Sequence, residues 1–281
     1  MIKLQTPVTL DAAPVSLSYS DRILVLGSCF ADEIGARLAA AGFKVLTNPF
    51  GTLYNPVSIG NAVARLGSGV PFTEEDVVGM GANAGKVCSF WHHTSFARTD
   101  TAEFLENANA SLEDASAFWK TCNRVIVTLG TAWAFRFNET GETVANCLKR
   151  PAAEFTRYRL TIAQTATILL GLVKRHEDKE FIFTVSPIRH LGDGAHGNQL
   201  SKSTLLLATE GLPYFPAYEI MMDELRDYRW WAEDMVHPTQ QAAAYLCDRF
   251  IEWVLSPREW DLYESKMKEY RHSQHRPMQN D

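Results

Sequence analysis

Two short stretches hold the residue types that acyl transfer requires. The apolar run "RILVLG" at 22–27 ends in Ser28, and "DMVHPT" at 234–239 sets Asp234 three residues before His237. A serine hydroxyl is a poor nucleophile near neutral pH and needs a base within hydrogen-bond reach. Imidazole, titrating at about 6.5 when unperturbed, can take that proton and return it. The second ring nitrogen of such a base must be held by an acceptor, and Asp234 is near enough in the chain to hold it. Plainer roles exist for the same residues. Ser28 also suits the N-cap of a following helix, and Asp234 a helix-start cap beside a surface histidine. A phosphate cradle is disfavoured, because neither G-x-x-x-x-G-K-[ST] nor G-x-G-x-x-G follows any expected strand.

The surrounding pattern says what must position these groups. Residues 22–27 read as a buried strand, and Phe30, Ile34 and Leu38 share one face of a helix over 30–41 that Gly42 stops. Residues 43–46 form the next strand, which completes a right-handed βαβ unit. "RVIVTLG" at 124–130 and "FIFTVSP" at 181–187 are continuous apolar strands of a sheet covered on both faces. Apolar residues repeat at helical spacing over 155–176. A last helix covers 238–255, with Pro238 in its first turn. The expected fold class is α/β: a three-layer α/β/α sandwich around a mainly parallel sheet, as one domain over 1–281 with a polar, frayed tail at 265–281. In such a sheet ligands gather at the carboxyl ends of strands, where Ser28 lies and where free N–H groups of a helix start favour negative charge. The glycine-containing segment 186–203 reads as a loop able to close over that edge.

The 281 residues are 46% hydrophobic and 11% aromatic, enough for a sizeable core, and carry a formal net charge of −6. That balance disfavours nucleic acid as a partner. The start, "MIKLQTPVTLDAAPVS", lacks a signal-peptide pattern, and no apolar run reaches spanning length, so no membrane association is expected. Five scattered cysteines without a C-x-x-C pair fit reduced thiols, and the expected compartment is the cytoplasm.

"GSCFA" at 27–31 resembles the signature of the GSCFA family, a branch of the SGNH (GDSL-like) hydrolase and esterase superfamily. Further similar segments are "NPFGTLYNP" at 48–56, "FWHHTSF" at 90–96, "TLGTAWAF" at 128–135, "VANCLKRP" at 144–151, 186–205 and 214–239. The resemblance implies a flavodoxin-like sandwich in which Ser28 is the nucleophile and Asp234 and His237 complete a triad. It further implies an oxyanion hole built on the backbone N–H groups of Ser28 and Gly51. The third superfamily block reads G-x-N-D, but Gly130-Thr131-Ala132-Trp133 has alanine in place of the oxyanion asparagine. Asn55, Asn146 and the Thr131 hydroxyl are candidate replacements. Cys29, beside the nucleophile position, is read as packing.

Trp91, His92, Arg189 and His190 fall in or beside expected loops at strand ends and are candidate substrate-binding residues, with solvent-facing side chains as the competing reading. The neighbours His92 and His93 lack metal-ligand spacing, so neither metal nor other cofactor is expected. The function expected from these residues is hydrolysis of a small-molecule or carbohydrate O-acyl ester, an acetyl ester first. O-acyl transfer through the same serine and non-catalytic carbohydrate or metabolite binding are the alternatives. The sequence leaves the oligomeric state open.

Overall fold

The computed structural model describes residues 6–81 and 85–274. Its strands are β1 (Arg22–Gly27), β2 (Lys44–Thr47), β3 (Val78–Gly79), β4 (Val87–Cys88), β5 (Arg124–Leu129), β6 (Trp133–Phe137), β7 (Thr143–Val144), β8 (Phe155–Arg159), β9 (Glu180–Val185) and β10 (Tyr214–Phe215). Its helices are α1 (Cys29–Ala40), α2 (Pro56–Ser68), α3 (Thr101–Thr121), α4 (Ile162–Arg175), α5 (Gly194–Ala208), α6 (Ala217–Glu219), α7 (Gln240–Val254) and α8 (Trp260–Gln274).

Five strands form one parallel sheet in the order β10-β9-β5-β1-β2. Numbered by their place in the chain, these five run 2-1-3-4-5, the flavodoxin-like order. The order reverses between β1 and β5, and that reversal opens a crevice at their carboxyl ends. The strand side chains alternate between two cores. Leu24, Leu26, Val125 and Val127 pack under α2, α3, α4 and α5. Ile23, Val25, Ile126 and Ile182 pack under α1, α7 and α8. Helices therefore cover both faces, and the three-layer α/β/α sandwich is the fold. No helix among the described residues is long and apolar enough to cross a membrane.

Several boundaries differ from the sequence pattern. Residues 155–159 are strand β8, not the first turns of a helix. They pair antiparallel with β6, Phe135 opposite Arg157, in a three-stranded sheet of order β7-β6-β8. Helix α4 starts only after Thr161, whose capping box with Gln164 holds its first turn. The segment 186–203 is no open loop: its second half is helix α5. Pro238 lies outside α7, which Thr239 caps by accepting from the Ala242 N–H. Residues 265–274 belong to helix α8, and 275–281 lie outside the described residues.

Candidate functional site at the carboxyl edge of the sheet

The turn from β1 into α1 is shaped by Gly27. Its φ is +133°, and a Cβ there would lie 2.1 Å from the Thr128 carbonyl oxygen of the neighbouring strand. Only glycine lets the two strands approach this closely at that backbone angle. The loop after β2 crosses above. Asn48, in the left-handed region at φ 44°, accepts the Gly27 N–H on Oδ1 at 2.9 Å and donates through Nδ2 to Asp32 at 2.7 Å. The Leu53 N–H then binds the Gly27 carbonyl, and the Tyr54 carbonyl accepts the N–H groups of both Gly130 and Thr131. The chain segments holding Ser28, Asn55 and Gly130 thus meet at the switch between β1 and β5.

Ser28 occupies the N-cap position of α1, yet its side chain makes no capping bond. Its hydroxyl is instead 3.0 Å from the Thr128 hydroxyl, and the residue is 1% exposed. The plain capping role therefore does not account for this serine. Burial pushes the adjacent Cys29 thiol up to about 11, so that sulfur stays protonated near neutrality and is a poor rival nucleophile.

Asp234 and His237 form a tight pair. The Asp234 Oδ2 and His237 Nδ1 atoms are 2.6 Å apart, while Oδ1 accepts the Val236 and His237 backbone N–H groups at 2.9 Å each. Those bonds to its charged form hold the Asp234 carboxyl at about 2. Donation from Nδ1 leaves Nε2 as the free acceptor, the tautomer a general base needs. No hydrogen bond joins Ser28 to His237 among the described residues. The hydroxyl faces Thr128, and the half-exposed His237 faces Asp234.

The chain after β9 connects the two halves. The Arg189 N–H donates to the Val236 carbonyl at 3.1 Å, and its guanidinium binds the Met235 carbonyl and lies 4.0 Å over the Trp231 ring. His190 sits against the Gly130 backbone, near Lys202 and His237. Burial first, then Lys202, lower its imidazole to about 4. Its Nε2 is buried with no hydrogen-bond partner among the described residues.

The expected oxyanion donors are arranged differently. The Ser28 N–H is taken by the Thr128 carbonyl at 3.1 Å and the Gly51 N–H by the Asn48 carbonyl at 2.7 Å. Gly51 is conformational instead: its φ is +76°, and a Cβ would lie 2.4 Å from that of His93. Asn55 accepts the Ser58 N–H on Oδ1 as the cap of α2, and its NH2 has no hydrogen-bond partner among the described residues. Thr131 exchanges a bond with Ser201, and Asn146 accepts from the Leu148 N–H in a turn of its own.

Two expected substrate contacts lie elsewhere. His92 is fully buried among Phe50, Phe72, Phe96 and Phe104, with Nδ1 2.7 Å from the Ser89 hydroxyl. It belongs to the core, because four aromatic rings exclude the water that a loop histidine would meet. Trp91 lines a cavity of about 690 Å³ with Phe90, Phe137, Asn61 and Arg150, and neither Ser28 nor His237 borders that cavity.

The sequence reading missed the buried polar face of α5. Asn198 accepts the His190 N–H at 2.9 Å, and the Ser201 hydroxyl accepts the Ala132 N–H at 2.8 Å. Lys202 donates to the Gly130 and Ser186 carbonyls at 2.7 and 2.8 Å. The i, i+3, i+4 spacing of these three polar residues was the available signal. Glycines at 192, 194 and 197 masked it.

Comparison with known proteins adds one assignment. Residues 22–250 match the model of the GSCFA family, and no curated protein matches the chain.

Proposed function

The chain belongs to the GSCFA family, and on that premise we propose that it is a serine-dependent hydrolase of ester bonds, built on the SGNH plan. Ser28 attacks the ester carbonyl, His237 takes the hydroxyl proton on Nε2, and Asp234 holds the opposite ring nitrogen. The leaving alcohol receives that proton as the C–O bond breaks. Water, deprotonated by the same imidazole, then releases the acyl group from Ser28. One observation carries this reading: Ser28 stands at a helix N-cap without capping, at the sheet's switch point, while Asp234 fixes His237 in the base tautomer. Attack requires the Ser28 hydroxyl to leave Thr128 and come within hydrogen-bond reach of His237 Nε2.

The substrate class that fits is a small-molecule or carbohydrate O-acyl ester, acetyl first, taken by analogy with the superfamily. Arg189, bound to the Val236 carbonyl beside His237, and His190, against Gly130, are the side chains proposed to contact the alcohol portion. The five unpaired cysteines support a reducing compartment, the cytoplasm. A non-catalytic binding role has an observation of its own in its favour, since the Ser28 and Gly51 N–H groups are both occupied.

The test is turnover of short-chain nitrophenyl esters and acetylated sugars by the purified protein and its Ser28→Ala variant. Hydrolysis that the variant loses supports the reading, and competition by added alcohols or sugars separates acyl transfer from hydrolysis. Equal turnover by both proteins removes it.

A further inference from the structure

Lys202 is 0% exposed, and its ammonium donates to the carbonyl oxygens of Gly130 and Ser186, the residues that follow β5 and β9. The groups that face it are the Cys29 thiol from α1, the Tyr218 ring of α6 at 5.4 Å, and His190 from the chain after β9. No carboxylate pairs with it among the described residues. A buried cation without an anion is costly, and such sites persist where a fixed positive field has a use. Its location suggests the use. Ala132 stands where the superfamily has an oxyanion asparagine, and the Ala132 N–H is held by Ser201, one residue before Lys202 on α5. The Ser28 and Gly51 N–H groups are occupied as well.

Resting on the esterase reading, we infer that Lys202 is the positioning residue that replaces the missing asparagine. It clamps the carboxyl ends of β5 and β9 from beneath and supplies the positive field in which the negative oxygen of the tetrahedral intermediate forms. It acts through the backbone and through charge, and does not touch the substrate. When the Ser28 oxygen bonds to the carbonyl carbon, the carbonyl electron pair moves onto oxygen and the hydroxyl proton passes to His237. The ammonium offsets the oxyanion in a medium of low polarisability, where a fixed charge acts strongly. Burial and, after it, the same charge keep His190 neutral, so that His190 neither competes for the His237 proton nor repels it.

Burial lowers the Lys202 ammonium to about 7. The field is therefore present below that pH and fades above it, giving the wild type a descending alkaline limb in kcat. Lys202→Met keeps the length of the stem and removes the charge, whereas Lys202→Arg keeps a charge that does not titrate.

The experiment compares the three proteins on a nitrophenyl ester from pH 5 to 10, and follows their thermal melting over the same range. Lys202→Met is expected to lower kcat at pH 7 by at least about tenfold, with KM changed less than about twofold, and to lose the alkaline limb. Lys202→Arg is expected to recover part of kcat and to stay flat above pH 7. The melting arm needs no turnover. The unfolded chain keeps the lysine proton up to its ordinary pKa while the folded chain releases it near 7, so from pH 7 towards 10 the wild type should gain stability relative to Lys202→Arg, a difference in which the opposing effect of the buried thiols, raised to about 11, cancels. In Lys202→Met that gain should be absent.

A folded Lys202→Met with wild-type kcat and alkaline limb overturns the inference and leaves the esterase reading intact. If Lys202→Met does not fold, a wild type that gains no stability relative to Lys202→Arg above pH 7 overturns it instead. A wild type that melts as expected but hydrolyses no ester defeats the esterase reading, and the role assigned to Lys202 with it.

Discussion

Replacing Gly27 by alanine tests how the fold builds the turn that presents Ser28. Two costs separate. The first is conformational, since φ is +133° and holding a side chain at such an angle costs roughly 1–3 kcal/mol. The second is steric. The new Cβ would lie 2.1 Å from the Thr128 carbonyl oxygen, 2.7 Å from its Oγ1 and 2.9 Å from its carbonyl carbon. The obstacle includes backbone of the adjacent strand, so relief requires β1 and β5 to part where the Ser28 N–H meets the Thr128 carbonyl. Such overpacking adds roughly 1–3 kcal/mol. The sum, about 2–6 kcal/mol, is a large share of the stability of an ordinary domain.

Gly141→Ala provides the comparison. Its φ is +73° and nothing lies within 4 Å of the added Cβ, so it should carry only the conformational cost, about 1–2 kcal/mol. Urea unfolding of both variants measures the difference. Gly27→Ala should have the lower midpoint by a wide margin, with ester turnover reduced in the fraction that stays folded. Equal midpoints for the two variants would refute the close-approach argument.

Three further outcomes follow from the site and the core. Asp234→Asn should lower kcat on the order of 10³–10⁴, because the amide no longer enforces the base tautomer of His237; steady-state kinetics beside an unchanged melting curve checks this. Cys29→Ala should leave turnover within about twofold of wild type, since a thiol held at about 11 contributes almost no thiolate at neutral pH. His92 is lowered to about 3 by burial and then by Arg65, while its unfolded value is 6.5. Between those values the unfolded chain binds the extra proton, so this stabilisation is complete above pH 6.5 and is lost as the pH falls towards 3. Chemical denaturation from pH 7 to 4 should show a shallower loss in His92→Phe than in wild type.

The three central strands of the parallel sheet were legible because their apolar runs are buried on both faces and end at glycine or at turn residues, as β1 does at Gly27 and β5 at Gly130, whereas the two residues of β10, paired only with β9, carry no such run and went unread. The 155–159 segment was misread because Phe155, Tyr158 and Ile162 match a helical repeat that continues into α4. Pairing with β6, a tertiary effect, decides its conformation. Helix α5 was hidden by its glycines; buried polar bonds to the strand ends, absent from any hydropathy pattern, hold it in place. At the site, Ser28, Asp234 and His237 could be chosen from residue type and position. The bonds occupying the Ser28 and Gly51 N–H groups could not, since they depend on how the loop after β2 crosses β1.

Mass spectrometry of the protein after reaction with a fluorophosphonate probe tests the central claim most directly. The account predicts one adduct, on the peptide containing Ser28, that is absent in Ser28→Ala and forms much more slowly in His237→Ala. An unmodified Ser28 peptide, or labelling at the same rate without His237, would contradict it.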